Sequence, residues 1–153
     1  MKLQICIVDD DVYSANALWR ILSQVYSVRC FYDPREFLKY SMDNRRIFCC
    51  IVDYRMPNIN GLDLFIKAKE HCSIENKILV TGYPDVELPA AKLSGAELDQ
   101  VLIKPFSTKW LMKYLQRQSR KMIKQNTRVV LTADELRALN QGFEELKDAG
   151  FSI

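Results

Sequence analysis

Ile51-Val52-Asp53-Tyr54-Arg55-Met56-Pro57-Asn58-Ile59-Asn60-Gly61 is the stretch on which the fold turns. An apolar run of strand type ends in one carboxylate, Asp53, and a proline and a glycine follow close behind. Such a run puts an acid at the carboxyl end of a buried strand with a turn after it. In an open α/β sheet, ligands and chemistry gather outside those strand ends. Three other apolar runs end in matching side chains: Asp9-Asp10, Thr81 and Lys104-Pro105.

Outward from that strand the chain alternates between strand and helix periods. Residues 3–8 read as a strand leading into Asp9-Asp10-Asp11. Residues 12–25 read as a helix, because Val12, Ala15, Leu18, Trp19, Leu22 and Val25 recur at spacings of three and four. Further strands are predicted over 27–32, 47–53, 77–81 and 101–104. The run 47–53 is almost wholly apolar, as expected when both sheet faces are covered. Further helices are predicted from Pro34, which suits a first helical turn, and over 62–71, 86–93 and 107–121. The last of these carries Trp110, Leu111, Tyr114 and Leu115 as its apolar stripe. Five βα units in series predict a parallel sheet with helices on both faces, and right-handed crossovers narrow the topologies.

The chain of 153 residues makes one domain with room for an appendage, and its apolar content is that of an ordinary globular protein. No apolar run approaches the roughly 18 residues that span a bilayer. Met1-Lys2 leads straight into the first strand with no signal-peptide pattern. A cytoplasmic location without a membrane partner is therefore expected. Cys6, Cys30, Cys49, Cys50 and Cys72 show no CxxC spacing and read as buried free thiols of a reducing compartment. His71 is the only histidine; with Cys72 it cannot complete a four-ligand zinc site, and it gives little support to a Ser-His or Cys-His nucleophile. Charge is segregated. Residues 1–106 are near balance, 107–128 hold Lys109, Lys113, Arg117, Arg120, Lys121, Lys124 and Arg128 with no acid, and 129–153 are mainly acidic. The basic segment reads either as a solvated helix face, as a partner for the acidic segment, or as a contact for phosphates.

A strand order of 2-1-3-4-5 brings Asp9, Asp10, Asp53, Thr81 and Lys104 into one cleft. Three carboxylates in one place repel each other and favour a cation. Oxygen-rich sites of this kind suit Mg²⁺ or Mn²⁺, with phosphate oxygens completing the ligand set. A lysine and a hydroxyl beside the metal complete a cage for a phosphoryl group. Asp53, alone at the end of the central strand, is the natural nucleophile, since aspartate forms acyl phosphates.

The sequence resembles the receiver domain of response regulators in two-component signalling. The residues that carry the resemblance are Val8-Asp9-Asp10, Val52-Asp53-Tyr54-Arg55-Met56-Pro57, Asn60-Gly61, Leu79-Val80-Thr81-Gly82 and Ile103-Lys104-Pro105-Phe106. They lie in the family's order across about residues 2–121. The resemblance implies an α/β, flavodoxin-like, doubly wound five-stranded parallel sheet in the order 2-1-3-4-5 with a C-terminal helical extension. It divides the chain into a receiver domain, 1–121, and a basic linker plus amphipathic C-terminal helix, 122–153. It implies that Asp53 accepts a phosphoryl group in a Mg²⁺-dependent reaction from a phosphohistidine on a sensor histidine kinase or histidine phosphotransfer protein. Asp10 resembles the direct metal ligand, with Asp9 assisting through water and the Arg55 backbone carbonyl facing the ion. Thr81 and Lys104 resemble the groups that hold phosphoryl oxygens, and Lys104-Pro105 occupies a position that is typically cis. Tyr83 and Arg55 flank the attack path. Such a domain is no enzyme in the usual sense, catalysing only its own phosphorylation and dephosphorylation. Its output is a switched protein–protein surface for a downstream target.

One position departs from the family. Val101 stands where an inward-swinging aromatic residue is usual, so the signal is expected to leave through backbone shifts over 82–93 or through the fifth helix. In the last thirty residues, Thr132-Ala133-Asp134-Glu135 forms a capping-box signal. Leu136, Leu139, Phe143 and Leu146 then mark an apolar stripe that must bury against something. Packing on the receiver is one expectation. A homodimer through this helix, or through the face of fourth helix, fifth strand and fifth helix, is the other. Too few residues follow Leu139 for a recognition helix with its support, so direct nucleic-acid binding is not expected of this chain. Two alternatives stay open. A haloacid-dehalogenase-type phosphatase would use Asp9 as nucleophile and Asp11 as general acid, leaving Asp53 unexplained. A phosphorylation-independent interaction module would keep the fold and not the chemistry.

Overall fold

The structure, a computed structural model, describes residues 2–82, 88–125 and 132–150. Five strands, β1 (Gln4–Val8), β2 (Ser27–Phe31), β3 (Arg46–Asp53), β4 (Ser73–Thr81) and β5 (Gln100–Ile103), pair in parallel in the order β2-β1-β3-β4-β5. That is the expected fold class. Helices α1 (Val12–Leu22), α2 (Pro34–Asp43), α3 (Gly61–Ala68), α4 (Ala90–Ala96) and α5 (Thr108–Gln125) alternate with the strands, and α6 (Ala133–Asp148) follows.

Strand alternation sorts the core into two faces. Ile5, Ile7, Cys49, Ile51, Ile78 and Val80 pack with Leu18 and Leu22 of α1 and Leu111 and Leu115 of α5. Cys6, Val8, Cys50, Val52 and Leu79 pack with Phe37 of α2 and Leu62, Leu64 and Phe65 of α3. β1 and β3 lie at the centre and are apolar on both faces for that reason. The five cysteines are free and serve this core, four of them buried. Helix starts are set by short polar side chains. Asp11, Asp33 and Asn60 cap α1, α2 and α3, and Thr132 with Glu135 closes a capping box on α6; a cap of this kind is worth about 1 kcal/mol. Among the described residues no helix is long and apolar enough to cross a membrane.

Five elements differ from the sequence expectation by three residues or more, the first being α1, which ends at Leu22 rather than at residue 25. β4 begins at Ser73 rather than at residue 77. Ile74 and Asn76 face inward there while Ser73 and Glu75 face out. The buried Asn76 amide donates to the Phe48 carbonyl at 3.0 Å, and Glu75 pairs with Arg46 at 2.9 Å. α4 starts at Ala90, behind Pro89, instead of at residue 86; residue 86 itself lies outside the described residues, as do Tyr83 and the expected extended segment 129–131. α3 ends at Ala68, three residues short. α5 continues to Gln125, so a boundary at 121 falls inside one helix. Met122 and Ile123 pack against the core, and no glycine or proline intervenes to stop it.

The stripe on α6 buries against the chain's own core. Leu139, Phe143 and Leu146 join the cluster that holds Val25 and Tyr26, while Leu136 stays partly exposed. The Phe143 ring meets Tyr26 edge-on at 6.1 Å. Gly142 permits the approach, since a Cβ there would lie 3.3 Å from Val25 Cγ2 and 3.4 Å from the Gln24 carbonyl. Phe143→Ala is expected to lower the unfolding free energy in urea titration by about 3 kcal/mol. An unchanged midpoint would mean that α6 contributes nothing to this core.

Candidate functional site

Strand register brings the polar ends together. β1 lies beside β3, with Val8 opposite Val52, so Asp9 follows one strand where Asp53 ends the next. On the other side of β3, Asp53 stands opposite Val80, and Thr81 pairs with Ile103 just before Lys104. Carboxylate oxygens of Asp9, Asp10 and Asp53 all lie within 4.8 Å of one another. Lys104 Nζ sits 2.9 Å from Asp53 Oδ1 and 3.5 Å from Asp9 Oδ2. The Asp53 side chain is only 11% exposed and that of Lys104 34%. The Lys104–Pro105 peptide is cis.

Each group is held by its neighbours. Asp9 Oδ1 accepts from the Asp11 backbone N–H at 2.9 Å. Asp11 spends its own carboxylate on the start of α1, accepting from Tyr13 N, Ser14 N and Ser14 Oγ. The third acid of the triplet is thus a helix cap, and the first two are left for the cleft. Behind Asp53 the chain folds tightly: Tyr54 N donates to the Val80 carbonyl at 2.7 Å and Gly61 N to the Tyr54 carbonyl at 2.9 Å. Gly61 is required by this closeness. A Cβ there would come 2.6 Å from the Asp53 carbonyl oxygen and 2.7 Å from Leu79 Cδ1.

Thr81 is buried at the end of β4, and its carbonyl accepts from Lys104 N at 2.8 Å. Arg55 is exposed in the loop after Asp53, and Asp10 is exposed at the rim. Beside the acids a cleft of about 490 Å³ opens between α1 and α5. Asp53, Asp9 and Lys104 form its polar end, and Leu18, Ile21 and Phe106 form its apolar wall. The apolar wall and the Asp11 N–H contact to Asp9 were not anticipated from sequence. The two-residue spacing of Asp9 and Asp11, which allows an Asx-type turn, carried the second of them.

Electrostatics in the cleft are uneven. Burial pushes the Asp9 carboxyl above its usual range and Asp53 adds to the rise, while the Asp11 N–H and Lys104 oppose it. Burial works to lower Lys104, but Asp53 and Asp9 together outweigh it and hold the ammonium above its ordinary value. An acid whose folded pKa is raised costs folding stability above that pKa, and the cost disappears as pH falls through it. The donors present are hard carboxylate oxygens carrying more negative charge than one ammonium neutralises, which fits Mg²⁺ or Mn²⁺. The fit extends to Asp9, Asp10 and Asp53 as ligands.

A family profile described as the response regulator receiver domain matches residues 5–116. Among curated proteins, the transcriptional regulatory protein FixJ of Bradyrhizobium diazoefficiens is 29% identical over 106 residues, which is 69% of this chain and 51% of FixJ. The response regulator protein TodT of Pseudomonas putida is 29% identical over 109 residues, 71% of this chain and 47% of TodT. The chain spans only 21% of the hydrogenase transcriptional regulatory protein HoxA of Bradyrhizobium diazoefficiens. Among solved structures, a CheY-like response regulator receiver domain protein of Methanospirillum hungatei JF-1 superposes with a TM-score of 0.71 at 24% identity, covering 82% of this chain and all of that one.

Asp9→Asn keeps an oxygen for the Asp11 N–H and removes a charge whose ionised form is costly. In divalent-free buffer at neutral pH the variant is expected to melt at or above the wild-type temperature. With millimolar Mg²⁺ the order should reverse, because ligand binding stabilises only the form that binds. Equal Mg²⁺-induced shifts in both proteins, read by differential scanning fluorimetry, would remove Asp9 from the cation site.

Proposed function

The chain belongs to the response regulator receiver family, and from that premise we propose that it is a phosphorylation switch whose phosphoacceptor is Asp53. The observation that carries this is the contact of Lys104 with both Asp53 and Asp9, at 2.9 and 3.5 Å, inside a cluster of three carboxylates. The donor is a phosphohistidine on a sensor histidine kinase or a histidine phosphotransfer protein. A free oxygen of Asp53 attacks phosphorus, the P–O bond forms as the P–N bond breaks, and the leaving imidazole takes up a proton from solvent. The apolar cleft between α1 and α5 admits that imidazole and keeps water from the acyl phosphate.

Asp9, Asp10, Asp53 and the Arg55 carbonyl would hold a divalent cation, which would supply charge neutralisation for the transferring group. Lys104 leaves its two carboxylates for a phosphoryl oxygen once Asp53 carries the group. Thr81, buried beside it, donates its hydroxyl to another. Both moves pull on the ends of β4 and β5. Val101, 42% exposed on β5, is not aromatic, so no inward-swinging ring at this position reports them. Instead the pull passes to α4, which is tied to the turn behind Asp53 by Lys92 Nζ to Asp63 Oδ1 at 2.9 Å and Asn60 Nδ2 to Asp63 Oδ2 at 2.8 Å. The output is a changed surface around α4, β5 and α5, offered in the cytoplasm to a downstream protein or to a second copy.

The phosphatase alternative is disfavoured by two contacts. Asp11 is spent capping α1, and the shorter Lys104 contact is to Asp53. Intact mass after incubation with acetyl phosphate is expected to show one Mg²⁺-dependent phosphoryl adduct on wild type and none on Asp53→Asn. Absence of an adduct from wild type under all conditions would leave a receiver fold that works without phosphorylation. Lys104→Ala is expected to keep the adduct and lose most of the accompanying change in tryptophan emission. An unaltered emission change would take Lys104 out of the switch.

A further inference from the structure

The outward face of α5 has no part in the phosphoacceptor chemistry. Successive helical residues are about 100° apart. On that wheel Trp110, Lys113, Arg117, Arg120, Lys121 and Lys124 fall within an arc of about 100°, opposite buried Leu111, Met112, Leu115 and Ser119. At about 1.5 Å per residue the stripe is roughly 21 Å long. All five cations are exposed, and with Gln116 they line a shallow groove of about 440 Å³. No acid occurs over 107–128. Among the described residues none of the five is in an ion pair with a carboxylate.

Like charges four residues apart, as in Lys113 with Arg117 and Arg117 with Lys121, weaken a helix, and a polyanion laid along the stripe reverses that. At its head Trp110 is 42% exposed and stacks on Tyr114 at 5.3 Å with 12° between the rings. An exposed indole backed by the buried Tyr114 ring, in line with a row of guanidinium and ammonium groups, matches what a single strand needs: cations for phosphates, and a flat surface for a base. A membrane surface fits less well, because the apolar side of α5 is spent on the core and the outward arc has no aliphatic side chain to insert. We propose that this stripe binds single-stranded nucleic acid through its phosphate backbone with one base stacked on Trp110, without sequence readout.

The test is fluorescence anisotropy of the full chain with labelled oligodeoxyuridylate and oligouridylate of about 12 nucleotides. Five phosphate contacts at about −0.7 each predict a slope of log affinity on log salt near −3.5, a loss of about a hundredfold between roughly 50 and 200 mM. Arg117→Glu with Lys121→Glu should cut affinity at least tenfold. Trp110→Ala should cut it about tenfold with the slope unchanged. Both variants should still take the phosphoryl adduct at Asp53, which separates this inference from the phosphoacceptor reading and checks the fold. Binding of either oligonucleotide supports the proposal, and the tighter of the two identifies the sugar. The proposal is overturned by no binding at the lowest salt, by charge reversal without effect, or by polyglutamate of equal charge competing as well as unlabelled oligonucleotide, which would mark an acidic-protein site.

Discussion

Three carboxylates and one ammonium share the carboxyl end of this sheet, and their mutual electrostatics govern what the rest of the structure must do. Asp9 and Asp53 place oxygens within 4.8 Å of each other, a separation at which two unit charges repel by roughly 3 kcal/mol at an effective dielectric constant of 20. Lys104 lies against both and offsets part of this. What raises the Asp9 carboxyl is chiefly burial, to which Asp53 adds. A site with surplus negative charge at its rim and an ammonium inside has the chemistry that suits a divalent ion. On the proposed reading, stability is given up locally so that a charged group arriving at Asp53 finds its counter-charges already placed.

The fold's task is to keep that unfavourable cluster in one place. β1 and β3 are buried on both faces, so the two strands that carry the acids cannot slide without exposing a row of aliphatic side chains. The turn after Asp53 is closed by backbone hydrogen bonds and by a glycine that no larger residue can replace without a clash. α6 adds to the same core from outside, through Phe143 on Tyr26. That contact lies on the face of the sheet shared by α1 and α5.

Much of this was legible in the residues themselves. Asp9, Asp10, Asp53 and Lys104 each end an apolar run, and strand periodicity places them where the structure brings three carboxylates and one ammonium together. What stayed hidden has physical reasons. The division of labour in Asp9-Asp10-Asp11 depends on backbone direction: the third acid turns to α1 and its N–H turns to the first. The early start of β4 was masked by a buried asparagine and an exposed glutamate, polar residues whose partners, Phe48 and Arg46, come from the neighbouring strand. The stripe on α6 was visible, but an apolar face announces only that it is covered. Gly142 against Val25 decides by what.

The central claim is that Asp53, among three close carboxylates, takes the phosphoryl group. The most direct measurement is borohydride reduction of the protein after treatment with acetyl phosphate and Mg²⁺, followed by peptide mapping. An acyl phosphate is reduced at its carbonyl carbon, which marks the residue that carried it. The account predicts homoserine at position 53 and unmodified aspartate at positions 9 and 10. Homoserine at position 9, with position 53 unmodified, would contradict it.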